Sequence, residues 1–386
     1  MMFDKSPELF PVKKEYLFLA HSSVSPLFSS AAQREMDIAR AQRDTGVLVA
    51  WDYGVILQQL KSSAAALLKT VPENLALVKN TSEGMGLIAN GYSFKPGDRI
   101  ISYVHEYPAN HYPWKLQEGR GVVLDLLPDH EMNGTDCQGR PCGWSMTDLE
   151  QLVRPETRMV AVSHVQFAGG YAVDLKELGV FCRDREIDLV IDAAQSLGCL
   201  PVYPEEYHIS AVVASGWKWL LGPIGTGLLY VSEAFREKLG HVMVGAETMV
   251  QGMDYLNHAW QPHSTAKRFE YSTQPLSLAA ALETCIREVF LRYHPEQIRA
   301  EVYRLQDVFL TTLDRDTYSP VRFDEPHRSG ILSLICGAEP ELLEKKLLEK
   351  GLICSSRGGY LRVAPHFYNS DEEMVRAAEL LNLCGE

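Results

Sequence analysis

No apolar run in this sequence approaches the ~18 residues that a membrane-spanning helix needs, so no membrane partner is expected. Runs of basic residues are missing too. With a net charge of −13, the chain lacks the clustered positive face that binding a phosphate backbone demands, and no nucleic-acid partner is expected. The N-terminus, Met1-Met2-Phe3-Asp4-Lys5-Ser6, has no positive segment followed by an apolar stretch, so no secretory signal is read there. Paired cysteines are scarce. Of the eight, only Cys137 and Cys142 lie close together, in a polar, Gly-rich segment with no second pair and no nearby histidine, so no metal site is expected. Internal repeats and low-complexity tracts are likewise absent. What remains reads as a soluble enzyme with reduced thiols, expected in the cytoplasm.

What is there is ordinary globular material. The hydrophobic share is 46%, and 386 residues suffice for one large domain and a smaller one. Short apolar runs of β-type recur at Leu75–Val78, Arg99–Val104, Gly121–Leu127, Met159–Val165, Leu189–Asp192, Ala211–Ala214 and Gly227–Val231. Near-continuous apolar runs of this length suit strands covered on both faces. Helical patterns lie between several of them, as at Leu175–Arg185, where Leu175, Leu178, Phe181 and Cys182 share a face. Strand–helix alternation predicts an α/β layer architecture around a mostly parallel sheet. Beyond about residue 260 the pattern shifts to long helices (Leu276–Tyr293, Glu296–Leu313), a strand at Gly330–Ile335, a helix near Pro340–Lys350, a strand at Tyr360–Ala364 and a final helix from Ser370. The expected organisation is an N-terminal segment over 1–20, a large α/β domain over 21–260, and a smaller α+β domain over 261–386.

In open α/β sheets, ligands bind beyond the carboxyl ends of the strands. Five polar groups sit at such ends: Asn80-Thr81-Ser82-Glu83, Glu106-Tyr107, His164–Gln166, Asp192–Gln195 and Ser215–Lys218. If the sheet is parallel they converge on one crevice. The first group reads as a helix N-terminus, whose free N–H groups, with the Thr81 and Ser82 hydroxyls, would receive a phosphate; an ordinary capped surface helix would look the same. Asp192 ends an apolar strand, and a carboxylate there needs a partner such as a protonated ring nitrogen, a buried arginine or a backbone cap. Lys218 stands between Trp217 and Trp219, where desolvation would lower its pKa and free the amine as a nucleophile, although a lysine stem can also cross apolar surface with its head in water. Gly222–Gly227 lacks the ending of a P-loop, and Asn80–Leu87 lacks the Gly-x-Gly-x-x-Gly of a dinucleotide site.

Asp192-x-x-Gln195, Ser215-Gly216-x-Lys218 and Gly222-Pro223-x-Gly225 together resemble the class V aminotransferase family of fold-type-I pyridoxal-5′-phosphate (PLP) enzymes, which includes cysteine desulfurases and isopenicillin N epimerase-like proteins. The resemblance runs from about Tyr16 to the chain end. It implies a large domain with a mostly parallel seven-stranded sheet and a smaller C-terminal α+β domain. It also implies PLP held on Lys218 as a Schiff base, Asp192 on the pyridine nitrogen, Gln195 on the phenolic oxygen, and Thr81, Ser82 and Ser215 on the phosphate. Tyr107 would stack on the ring, and Gln166 is added as a further cofactor contact. Phe269-Glu270-Tyr271-Ser272-Thr273 is similar to a family segment whose threonine reaches the partner subunit's phosphate, which implies a homodimer with shared sites through Thr273. Arg362, in Leu361-Arg362-Val363, resembles the arginine that clamps a substrate carboxylate; Arg357 and His21 are taken with it as substrate-binding candidates.

Three departures from cysteine desulfurases bear on the reaction. Tyr107 stands where those enzymes place a histidine, Trp217 precedes the lysine, and no cysteine lies on the short stretch between Arg357 and Arg362, Cys354 coming earlier. They point away from persulfide chemistry. The expectation is therefore an amino acid as substrate and chemistry at its Cα, first of the aminotransferase type. Carbon–sulfur β-elimination or epimerisation on the same scaffold is the alternative. A non-catalytic metabolite-binding scaffold is disfavoured by the intact Asp192 and Lys218 pair.

Overall fold

The computed structural model describes residues 2–132 and 136–385. Among the described residues, thirteen strands form three sheets. They are β1 (Leu17–Phe18), β2 (Leu75–Val78), β3 (Arg99–Tyr103), β4 (Val123–Leu127), β5 (Thr157–Ser163), β6 (Asp188–Asp192), β7 (Ala211–Ser215), β8 (Gly227–Val231), β9 (Tyr318–Val321), β10 (Leu332–Cys336), β11 (Leu352–Ile353), β12 (Ser355–Arg357) and β13 (Tyr360–Val363). The main sheet has the order β2-β8-β7-β6-β5-β3-β4. β3 through β7 run parallel, while β8 is antiparallel to both β7 and β2. Every residue of β2, β6, β7 and β8 is buried, because helices cover both faces and leave no place for a polar alternation. The seven strands occupy the seven runs read from the sequence, with ends shifted by up to two residues.

One such shift matters. The run expected over Met159–Val165 pairs only as far as Ser163, so His164–Gln166 forms a turn beyond the strand instead of its last residues. Gly170, at φ +85°, closes that turn against the backbone of Ile331; a side chain there would meet the Ile331 carbonyl.

The helices follow apolar spacing. In Tyr53–Leu68, buried Ile56, Leu57, Leu60, Ala64, Leu67 and Leu68 lie on one stripe. This helix and Ser29–Thr45 pack against Leu276–Cys285. The long helix expected over 276–293 is one helical run, widened into a π turn at Ile286–Phe290. The C-terminal sheet is antiparallel, in the order β12-β13-β10-β9, and packs its apolar residues on helices Pro295–Thr312 and Asp371–Gly385. The N-terminal residues return to this part of the molecule: β1 pairs with β11, and Ala20 bridges Ala364. Among the described residues, no helix is long and apolar enough to cross a membrane.

Candidate active site

The carboxyl ends of β5, β6 and β7 and the start of the helix Thr81–Gly91 open onto one cavity of about 300 Å³. Thr81, Ser82, Tyr107, Asp192, Gln195, Ser215, Lys218, Arg357 and Arg362, nine of the residues singled out in the sequence, line it. Strand direction explains the convergence. Parallel strands deliver their C-termini to one edge, where the polar residues Asp192 and Ser215 end β6 and β7.

The floor is electrostatically unfinished. Asp192 is buried, and its Oδ1 accepts a hydrogen bond from the Ala194 N–H at 2.8 Å; Oδ2 has no protein donor among the described residues. Desolvation pushes its pKa up to about 6, against the pull of that N–H and of Lys218. Lys218 is lowered to about 8, first by desolvation and then by the positive charges of Arg362 and Arg357, with Asp192 opposing. Its Nζ lies 5.4 Å from the centroid of the Tyr107 ring and makes no hydrogen bond among the described residues. A primary amine so placed is available as a nucleophile and proton carrier near neutrality. Close by, Glu106 is fixed by the Ser163 N–H at 2.6 Å and the Ser163 hydroxyl at 2.5 Å, and desolvation raises it to about 7.

At the other end of the cavity the donors are free. The Asn80 side chain caps the helix by accepting from the Glu83 N–H at 2.8 Å, which leaves the first-turn N–H groups and the Thr81 and Ser82 hydroxyls directed at the cavity end. Ser215 Oγ and Ser22 Oγ are buried without a hydrogen-bond partner. An open helix terminus and the orphaned Ser215 hydroxyl on one lining form an anion cradle that protein atoms do not fill.

The upper wall carries two arginines and no acid. Arg362 is 2% exposed yet forms no ion pair among the described residues. Its guanidinium donates to neutral acceptors only: the Phe167 carbonyl at 2.5 Å, Ser23 Oγ at 3.1 Å and Ser355 Oγ at 2.9 Å. Burial, reinforced by Arg357, lowers it to about 9. Arg357 donates to the Ser356 carbonyl and also has no acidic partner among the described residues. An uncompensated buried guanidinium is costly, and an incoming anion relieves the cost.

Not every expectation lands in the cavity. His21 is fully buried, its Nδ1 on the Ala364 carbonyl at 2.6 Å and its Nε2 on the Tyr368 hydroxyl at 2.7 Å, and it packs among Phe18, Trp219 and His366. Both ring nitrogens are engaged, so it serves the packing of the N-terminal segment and does not reach a substrate. Gln166 turns away as well. Its carbonyl oxygen accepts from the Ala168 and Gly169 N–H groups and its amide donates to His105, so the side chain stabilises its own turn. Gln195 does line the cavity, but its amide already bridges the Ser22 carbonyl (2.9 Å) and the Trp219 indole (3.1 Å). Thr273 is exposed and lies outside the cavity of its own chain. Ser22, Ser23, Phe167 and Ser355 help build the site and were not foreseen. They come from the N-terminal segment, the turn after β5 and β12, and no motif marks them.

A lysine and an aspartate on the ends of adjacent parallel strands, facing an anion cradle, define a fold-type-I enzyme of the PLP-dependent class. The donor set fits that cofactor: a cradle for its phosphate, a half-satisfied carboxylate for its ring nitrogen, and a neutralisable amine for its aldehyde. The sequence profile described as "Aminotransferase class-V" matches residues 35–378, and the chain belongs to that family, whose cofactor is PLP. It is 26% identical over 343 residues to a probable cysteine desulfurase of Methanothermobacter thermautotrophicus, covering 84% of this chain and 82% of the relative. The apo cysteine desulfurase of Thermococcus onnurineus superposes with a TM-score of 0.84 at 22% identity, covering 99% of both chains. The cystine C–S lyase C-DES, solved with cysteine persulfide, superposes with a TM-score of 0.87 at 19% identity, covering 97% of this chain and 99% of that one.

Proposed function

We propose that this enzyme acts at Cα of an amino-acid substrate, in a reaction of the aminotransferase type. The observation that carries the proposal is the buried Arg362 without an acid: a planar guanidinium beside Arg357 suits a carboxylate, which two parallel N–H donors can hold. Bound PLP supplies a carbonyl for the substrate amine and an electron-withdrawing ring that weakens the bonds at Cα. The protein's part follows from its own groups. Lys218, as the cofactor lysine, would take the Cα proton when neutral and return it when charged, its pKa being lowered to about 8. Asp192 would keep the pyridine nitrogen protonated, and Thr81, Ser82 and Ser215 would hold the phosphate. Tyr107, held edge-on against Phe167, would supply an aromatic face for the cofactor ring. A single proton carrier meets the needs of transamination, as it does those of the second reading below.

The second reading is carbon–sulfur β-elimination, in which a thiolate leaves without needing an acid. The likeness to the cystine C–S lyase favours it. Cys354 does not suit a persulfide relay, because it is buried and its thiol is pushed far up by burial, which keeps it an inert thiol. We further propose that two copies share their active sites through Thr273, next to a segment that exposes Met253, Tyr255, Leu256 and Trp260. The eight free thiols support a reducing, cytoplasmic setting.

The reaction type is tested by incubating the PLP-loaded protein with a panel of amino acids and no acceptor. One equivalent of 2-oxo acid per site without ammonia is the expected result. Catalytic release of ammonia and pyruvate from cysteine or cystine would overturn transamination in favour of elimination.

A further inference from the structure

Behind the active-site wall lies a second cavity of about 350 Å³ that the chemistry above does not use. The two are separated by the end of β5: Ser163 and Val165 line the active site, whereas His164 between them lines the second cavity. His164 is 6% exposed, and its Nδ1 has no hydrogen-bond partner. Its backbone N–H donates to the Asp192 carbonyl at 2.9 Å, so the two sites share a strand end.

Charge pairing defines what this cavity lacks. Lys69 lies 4.0 Å from Glu296, which also accepts from the Tyr203 hydroxyl. Lys176 pairs with Glu206 at 3.4 Å, Arg328 with Asp307 at 2.9 Å, and Asp174 caps the helix that starts at Leu175. Two charges of opposite sign are left over. Neither the half-buried Arg299 side chain nor the exposed Glu325 side chain makes a hydrogen bond or ion pair among the described residues. Both flank Tyr303, whose phenol feels Glu325 as a negative neighbour and Arg299 as a positive one. They are too far apart to satisfy each other, and apolar side chains of Val173, Leu175 and Leu200 complete the lining.

We propose that this cavity is a second binding site for a small zwitterion, an α-amino acid with an apolar side chain. Its carboxylate is held by Arg299, its ammonium group by Glu325, and its side chain lies against the aliphatic lining. A dianion such as phosphate is disfavoured by the carboxylates of Glu206, Glu296 and Glu325 around the same space. The volume lies at the lower end of the roughly 300–1,000 Å³ typical of small-molecule sites, which suits a ligand of this size.

The test must keep the two sites apart. Borohydride-reduced holoenzyme has no carbonyl with which an amine can react, so titration calorimetry with L-leucine and L-phenylalanine reads non-covalent binding alone. At least one of the two is expected to bind at one equivalent per chain, with the same affinity in Arg362→Ala. Arg299→Ala and Glu325→Gln are each expected to weaken it roughly tenfold or more, since each removes a charge-assisted contact. 4-Methylpentanoate, which lacks the ammonium group, is expected to bind more weakly than L-leucine. No binding of either amino acid up to about 10 mM, an affinity too weak to mark a site, would overturn the proposal. Binding lost in Arg362→Ala but kept in Arg299→Ala would do so equally.

Discussion

Two cations line the cavity without a salt bridge among the described residues, Lys218 and Arg362; the first was marked in the sequence by its place between two tryptophans, the second by the family resemblance. Lys218 is lowered to about 8 by desolvation. A depressed lysine is neutral above its folded pKa, so its reactivity rises with pH through that value and levels off beyond it. Competitive amine labelling of cofactor-free protein should therefore give Lys218 a midpoint near about 8; a midpoint at the ordinary lysine value of about 10.4 would mean an amine bathed in water. Arg362 makes a different prediction. Hydrogen bonds to a charged group contribute roughly 1.5–3 kcal/mol each, so losing two should lower kcat/KM for amino acids by about a hundredfold to ten-thousandfold in Arg362→Ala. Arg362→Lys should recover only part, because an ammonium cannot present two parallel donors. Equal turnover of amines lacking a carboxylate would remove the amino-acid reading. His21 and Gln166 were less legible. A sequence fixes that a polar residue follows a strand but not which way its side chain turns, and both found backbone or buried partners instead of the cavity.

At the level of elements, the seven apolar runs of the main sheet were readable because complete burial leaves a continuous hydrophobic signature. Their spatial order was not, since crossovers place β8 between β2 and β7 without any local mark. The antiparallel direction of β8 was hidden for the same reason. The segment that contains Glu270 shows a role that sequence similarity alone did not disclose. Glu270 is 2% exposed, accepts from the Leu77 N–H in β2 at 2.9 Å and pairs with Lys61 at 2.7 Å, thus tying a strand to the helix Tyr53–Leu68. Breaking a buried pair by removing one partner costs about 3–5 kcal/mol. Glu270→Ala should therefore lower the denaturation midpoint clearly, whereas Glu270→Gln, which keeps the bond to β2, should lower it less. Unchanged midpoints in both variants, measured by urea titration, would show that the tie carries no stability.

On the scale of the whole molecule, the active site draws on distant parts of the chain: Ser22 and Ser23 near the start, the sheet edge in the middle, and Arg357 and Arg362 near the end. That convergence was legible only for the sheet edge, because the return of the N-terminal segment to β11 and β13 depends on pairing between residues more than three hundred positions apart. A shared active site would have a consequence at Thr273. This residue is exposed on its own chain, and the shared-site proposal gives it to the partner's phosphate. Thr273→Val should weaken PLP retention on dilution while the chain's own cavity stays intact. A fully active monomer by light scattering would contradict the shared site.

The central claim is that Lys218 carries the cofactor in this cavity, and the most direct measurement is the covalent mark it leaves. PLP-saturated protein, reduced with borohydride and digested, should yield a single pyridoxylated peptide with the modification on Lys218, and Lys218→Ala should yield none. A label on another lysine, or none on saturated wild-type protein, would contradict the account.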